Sequence, residues 1–297
     1  MGHFALKSKV KTNGFEGWYL RLNDPSIGFN MALIFAHTTN EDDPHAFIQL
    51  FDGTLKTNTY LRFDADAFRF HNDTVWIAGN ELSVSHVHLD TDLLKLDAQF
   101  ENPVYNAEKS AMGLLEKFPL ETFQEVVIMD GVMRGEATLY GVKKNLSGTL
   151  YMEKTYGQKF PKTWFWVQAN HFDIPGVSLS MSGGHVPTIK FRPFGFFALL
   201  YTPEANMRFA TYDLSRIHID HTPELTRFTV RKRFSTLIVD VTRHAPTELV
   251  GPTDGGAMIL PVYESITAHV TLTYKRRNKT ILSAKSALAG FEYMMKG

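Results

Sequence analysis

The chain of 297 residues contains no cysteine. That excludes disulfides, thiolate nucleophiles and cysteine-based metal sites together. Neither sign of charge is in excess, since 31 basic residues balance 31 acidic ones. No global field therefore draws the chain to nucleic acid, and none drives it strongly to an anionic membrane, so transient contact with a membrane surface stays open. No run of about 18 apolar residues occurs, so nothing reads as a transmembrane helix. At the start, Met1-Gly2-His3-Phe4-Ala5-Leu6-Lys7 has no basic segment leading into an apolar run. No signal peptide is expected from it, and the expected location is cytoplasmic. The glycine-rich piece Gly251 to Gly256 lacks the lysine and hydroxyl residue of a phosphate loop and the spacing of a dinucleotide fingerprint, and reads as a turn. No nucleophile elbow is present. Among 12 histidines, His86 and His88 sit two apart, and His218, Asp220 and His221 cluster, yet neither group has a third ligand at recognisable spacing. The sequence thus gives no reason to expect a metal or a cofactor.

What is present is aromatic and alternating. Phenylalanine occurs 23 times, and 44% of residues are hydrophobic. Leu94 to Glu101 alternates apolar and polar side chains, and Ile266, Ala268, Val270, Leu272 and Tyr274 do so again. Turn residues such as Asp52-Gly53, Asn72-Asp73, Pro175-Gly176 and Gly183-Gly184 separate further short runs of this kind. Many short strands with regular turns predict an all-β sandwich or barrel architecture. One internal segment, Ala107 to Phe118, has apolar residues at helical spacing and predicts a helix serving as a linker or a lid. Ser283 to Lys296 reads equally as a last strand or a short helix. The length fits two domains, divided here as residues 1–130 and 131–297.

The most informative stretch is Tyr151 to Phe172. Trp164, Trp166, Gln168 and Asn170 fall on alternate positions of a predicted strand and so share one face. Indoles with an amide pair suit a pocket for a large apolar ligand that carries a few polar groups. Glu153 admits two readings. It is a general acid whose pKa is raised by apolar surroundings, or it is part of a surface turn with Lys154 while the tryptophans form core. In Phe15 to Leu22, Glu16 and Trp18 share a strand face; a carboxylate there needs a partner or a cavity, unless it lies at the strand edge. His45, His171 and His185 lie on or beside these runs.

These residues carry a resemblance. Phe15-Glu16-Gly17-Trp18-Tyr19 resembles an element near the start of the tocopherol cyclase-like proteins. Glu153-Lys154-x-x-Gly157-x-x-Phe160-Pro161, followed by Trp164-x-Trp166-x-Gln168-x-Asn170-x-Phe172, resembles their central motif. Weaker similarity continues through Leu179 to Pro187, Phe209 to Tyr212, Gly255-Gly256 and Ala289 to Glu292. The resemblance implies two lipocalin-like antiparallel β-barrels or half-barrels packed together, with little helix. It also suggests distant kinship with carotenoid hydratases, which carry an Asp-His pair in place of Glu153-Lys154. The implied activity is a cofactor-independent isomerase: an acid protonates an isoprenoid double bond, and the phenolic hydroxyl of the same prenylated quinol traps the cation. On this reading Glu153 donates the proton, with Lys154 and Tyr156 tuning it. Glu16, Trp18, Trp164, Trp166, Gln168, Asn170 and His171 bind substrate. The alternative is a non-catalytic lipocalin-like carrier of a hydrophobic small molecule. Tyr156 stands where plant-type members have Trp, and Ala169 where they have Cys, so the substrate need not be a tocopherol precursor.

Overall fold

The computed structural model describes residues 3–7, 12–107, 110–185, 194–242 and 246–295. The chain is all-β and forms two compact units, each a nearly closed antiparallel barrel. The first unit comprises Met1–Asn106, Glu121–Phe160 and Leu249–Val262; the second comprises Ala107–Leu120, Pro161–Glu248 and Tyr263–Gly297.

Strands of the first unit are β1 (Phe15–Asp24), β2 (Phe29–Thr38), β3 (His45–Asp52), β4 (Thr57–Asp64), β5 (Phe68–His71), β6 (Thr74–Ile77), β7 (Asn80–Ser83), β8 (His86–Asp90), β9 (Leu94–Tyr105), β10 (Thr122–Leu139) and β11 (Val142–Gly157). Their order in the sheet is β4-β3-β2-β1-β11-β10-β9-β8-β7-β6-β5, so the first strand pairs with the last. A division at residue 130 would cut through β10, and the unit runs on to Phe160. The long β10–β11 hairpin turns at Tyr140 (φ 50°) and Gly141 (φ 78°). Two positive φ values in succession are what a tight hairpin matched to strand twist requires.

Alternation decides the interior of this barrel. Trp18, Leu20 and Leu22 of β1 point inward with Met31, Leu33 and Phe35 of β2 and Leu150 and Met152 of β11. Each such side chain, fully buried, contributes about 1.5–3 kcal/mol. On β9 the burial alternates residue by residue from Leu94 to Glu101, as the sequence pattern predicts.

The second unit contains β12 (Trp164–Ala169), β13 (Ser178–His185), β14 (Phe194–Thr202), β15 (Ala205–Ala210), β16 (Arg216–His221), β17 (Thr226–Lys232) and β18 (Ser235–Thr242). After these in the chain come β19 (Thr247–Pro252), which from Leu249 on belongs to the first unit, β20 (Met258–Arg276), which belongs to the second unit from Tyr263 on, and β21 (Lys279–Tyr293). The order β15-β14-β13-β12-β21-β20-β18-β17-β16 again joins the unit's first strand to its last, and β19 pairs with β20 off this path. Its core holds Phe165, Val167 and Ala169 of β12 with Phe228, Val239, Leu272 and Phe291. The ambiguous stretch from Ser283 is strand as far as Tyr293.

The helix predicted over Ala107 to Phe118 does not form. Residues 108–109 lie outside the described residues, and the remainder holds one 3₁₀ turn, Gly113–Lys117. Ser110 Oγ accepts from the backbone N–H of Met112 and Gly113, and Gly113 takes φ 54°. That local capping and left-handed residue stop an α-helix from propagating.

Candidate functional site

The β1–β11 ladder brings two of the sequence motifs together. Trp18 lies opposite Lys154, Tyr19 opposite Glu153 and Glu16 opposite Tyr156. Because strand side chains alternate, Glu153 and Lys154 point to opposite faces. The candidate trio is therefore split: Lys154 and Tyr156 face the barrel interior with Glu16 and Trp18, and Glu153 faces outward with Tyr151.

Inside, Lys154 Nζ lies 3.0 Å from Glu16 Oε1, with both side chains 0% exposed. The ammonium also donates to Ala5 O. It sits 5.6 Å from the centroid of the Trp18 ring and 5.4 Å from that of Tyr156. The backbone N–H of Lys7 donates to both Glu16 oxygens at 3.1 Å. Trp18 Nε1 donates to Phe4 O at 3.0 Å, and Phe4 packs on the indole. A second carboxyl, Glu125, takes Lys7 Nζ at 2.5 Å and His3 Nδ1 at 3.1 Å. Burial pushes the Glu16 carboxyl up, against the pull of Lys154 and Lys7. Burial likewise pushes Lys154 down, against Glu16 and Glu125. Burial alone would raise Glu125 too, but the His3 and Lys7 hydrogen bonds and the Lys154 charge hold it below the usual range. Residues 3–7 thus seat their backbone on a buried charge cluster. Such a cluster tolerates burial because each charge is hydrogen-bonded as well as paired.

On the outward face Glu153 is only 5% exposed. Tyr151 Oη donates to its Oε2 at 2.6 Å, and Gln124 Nε2 of β10 donates to Oε1 at 3.0 Å. Arg21 lies opposite Tyr151, and Asn23 opposite Thr149, in the same ladder. Arg21 donates to Asn30 Oδ1 at 2.5 Å. Both side-chain polar atoms of Asn23, together with Thr149 Oγ1, are buried without a hydrogen-bond partner among the described residues. A buried polar atom left unpaired is costly, so the same face of this ladder, four residues along β11 from Glu153, holds donors and acceptors in reserve.

In the second unit Trp164, Trp166 and Gln168 share the face of β12 opposite Phe165, Val167 and Ala169, and all three are buried. Trp164 Nε1 donates to Glu292 Oε2 at 2.5 Å. The Trp166 ring lies where a Cβ at Gly290 would be, which explains why glycine stands opposite Gln168 on β21. Gln168 Nε2 donates to Asn170 Oδ1 at 3.1 Å, and Gln168 Oε1 is buried with no donor among the described residues. The weaker motif at Ala289 to Glu292 thus has a physical role as the seat of the two indoles.

The glycines of the motifs are accounted for by close packing. A Cβ at Gly157 (φ 154°) would overlap Glu121 O, and one at Gly17 would crowd Ala36. Of the histidines, His45 is buried with Nε2 2.6 Å from Tyr60 Oη. His171 is half-buried, and His185 is exposed with Nδ1 2.7 Å from Thr163 Oγ1. His86 and His88 lie beside Glu81 and Asp97. Among the described residues no group of three or more side chains is arranged to hold a metal.

Sequence reasoning missed Tyr151, Gln124 and Glu125. Tyr151 was reachable, since it precedes Glu153 by two on the same strand. Gln124 and Glu125 arrive from β10, whose register on β11 shifts at Val126 and Ile128, and periodicity gives no sign of that.

The tocopherol cyclase-like family matches residues 98–293, about two thirds of the chain, and the protein belongs to that family. No curated protein matches in a sequence comparison. Among solved structures, the chain is similar to the AttH-type protein NE1406 of Nitrosomonas europaea, with 13% identity, a TM-score of 0.56, and 94% of this chain and 92% of that one covered. It is also similar to kievitone hydratase from Nectria haematococca, with 11% identity, a TM-score of 0.56, and 99% and 93% covered. At such identities these likenesses speak for the fold. No helix among the described residues is long and apolar enough to cross a membrane.

Proposed function

We propose that the protein is a cofactor-independent cyclase of a prenylated phenol or related isoprenoid, with Glu153 as the proton donor. The observation that carries this reading is the carboxyl itself: nearly dry, gripped by a phenol and an amide, within the segment that matches the family. An alkene is a very weak base, so its protonation needs an acid shielded from water. In the proposed step the Glu153 O–H bond breaks and a C–H bond forms at the less substituted alkene carbon. The phenolic oxygen then closes on the tertiary cation, and its proton returns to the carboxylate. No atom is gained or lost, and the product is an isomer.

In this proposal the acid form carries its proton on Oε2, with Tyr151 Oη, 2.6 Å away, turned to accept it; the Tyr151 donor bond then holds the carboxylate until the proton returns. Lys154 pairs with Glu16 rather than with Glu153 and has its ammonium over the Tyr156 ring, and in this proposal the two hold the barrel end in shape. In the second unit, Gln168 Oε1 is an acceptor that a ligand hydroxyl would satisfy, and Trp164 and Trp166 offer apolar surface.

The test is ring closure of prenylated hydroquinones in D2O, followed by mass spectrometry. One deuterium per chroman product is expected from the wild type. Glu153→Gln should lower the rate by about 10²–10⁴-fold, the usual contribution of a general acid, while ligand binding persists. Wild-type turnover in that variant would move the proton to another group. Tight binding without turnover by either protein would replace the cyclase with the carrier. A product heavier by one water would point to hydration instead.

A further inference from the structure

The second unit carries a cationic, apolar-tipped edge that the proposed chemistry does not use. Two stretches, Leu225 to Val239 and Ser265 to Phe291, contain no Asp or Glu. Each folds into a hairpin, β17–β18 and β20–β21, and β18 pairs with β20. Their turns are therefore neighbours: the Arg277 N–H donates to Phe234 O at 2.8 Å, and the Arg277 guanidinium sits 5.6 Å from the Phe234 ring centroid. Around these turns Arg231, Arg233, Arg276, Arg277 and Lys279 are all exposed.

The loop from β15 to β16 joins the same edge. Lys232 Nζ donates to Asp213 Oδ2 at 2.7 Å and to Arg208 O at 2.9 Å, and Arg216 pairs with Arg231 in the ladder. Asp213, the one acid in that loop, is thereby neutralised. What projects from the edge is apolar: Leu214 is 89% exposed and Phe234 69%. Leu214 also takes a left-handed backbone (φ 64°) that a branched aliphatic residue adopts at a cost.

We propose that this edge docks on an anionic lipid surface, with Phe234 and Leu214 entering the headgroup region and the arginines pairing with lipid phosphates and carboxylates. Charge complementarity gives the sign of the partner. Cations ringing exposed apolar tips are the arrangement that interfacial anchors use. The apolar tips favour a bilayer over nucleic acid, which would reward the cations and leave Phe234 and Leu214 without a role. The balanced net charge of the whole chain does not oppose this, because attraction at a membrane acts within about one Debye length and reads only the local patch. The proposal rests on the second unit alone and stands whether or not the chain is a cyclase.

Flotation with vesicles of phosphatidylcholine, with and without about a third phosphatidylserine, tests it. Binding to the phosphatidylserine vesicles alone, weakening as salt rises, is expected. Each arginine near the surface is worth about a fivefold change in partitioning, so Arg233→Glu with Arg277→Glu should abolish binding. Phe234→Ser should weaken it with charge unchanged. All three positions are exposed, and thermal melting and far-UV dichroism check that the variants fold. In Phe234→Trp, quenching of the new indole by brominated acyl chains should add to any background from the four native tryptophans. The proposal is overturned if the two vesicle types bind alike, if the double variant floats like wild type, or if duplex DNA binds with the same arginine dependence and no Phe234 dependence.

Discussion

Replacing Lys154 with methionine removes the cation from a charge cluster that water does not reach. Glu16 would stay in place, 0% exposed, keeping only the Lys7 backbone N–H and a more distant Lys7 charge. Breaking a buried pair by deleting one partner typically costs about 3–5 kcal/mol, most of it the stranded charge. The stranded group here is a carboxyl already pushed up by burial. Without Lys154, the largest influence holding it down, its folded-state pKa rises further. A carboxyl whose folded pKa lies above its unfolded value binds more protons when folded, so stability falls as pH rises through that window. The loss in Lys154→Met should therefore be largest above the raised folded-state pKa of Glu16 and shrink as pH falls through it, where Glu16 takes a proton and becomes a neutral buried acid. Urea unfolding at several pH values measures this, with Trp18 and Trp76 reporting the first unit. Adding Glu16→Gln should recover much of the loss and leave it independent of pH. A cost that does not vary with pH, or effects of the two substitutions that simply add, would refute the account of a coupled buried pair.

Other outcomes follow from single contacts. Gly157→Ala should destabilise the first unit by several kcal/mol, at the upper end of single substitutions, because its Cβ meets backbone that cannot retreat; an unchanged melting curve would deny the clash. Gly290→Ala should dislodge the Trp166 indole, seen as a red shift in tryptophan emission and weaker ligand binding. His37, with Nε2 sealed and its ring stacked on Phe68 at 3.9 Å, is pushed down to about 4 by burial. Its folded pKa lies below the unfolded value of about 6.5, so stability is lost as pH falls from 6.5 toward 4, by up to about 3 kcal/mol. His37→Phe should flatten that acid limb, and an unaltered limb would assign it to other groups.

The fold was readable where alternation was strict. Leu94 to Glu101 and Ile266 to Tyr274 place their apolar residues inward as written. Ala107 to Phe118 was misread because apolar spacing alone carries no information on Ser110 capping or on the left-handed Gly113. The sharing of a face by Trp164, Trp166 and Gln168 was legible, and so was that of Glu16 and Trp18. Adjacency in sequence misled at Glu153-Lys154, where neighbours on a strand look in opposite directions. The partners that define Glu153, and the pairing of Glu16 with Lys154 across more than a hundred residues, come from ladder register, which no local pattern encodes.

Both barrels join their first strand to their last, and this imposes an order on synthesis. β12 leaves the ribosome early in its unit, yet its partner β21 begins only at Lys279. Until then β12 presents a bare, hydrophobic edge, which is the kind of surface that recruits other chains. The first unit waits as well, since Leu249–Val262 belongs to it, with Gln49 bonded to Val250 and Thr38 to Gly256. The first barrel is therefore incomplete when β1 to β11 have emerged, and the second stays open until β21, its last strand, is made. Closure by such distant pairings is slow, so the nascent chain depends on whatever shields those edges in the interval. A truncation that removes β21 should show itself as aggregation before it shows itself as lost activity.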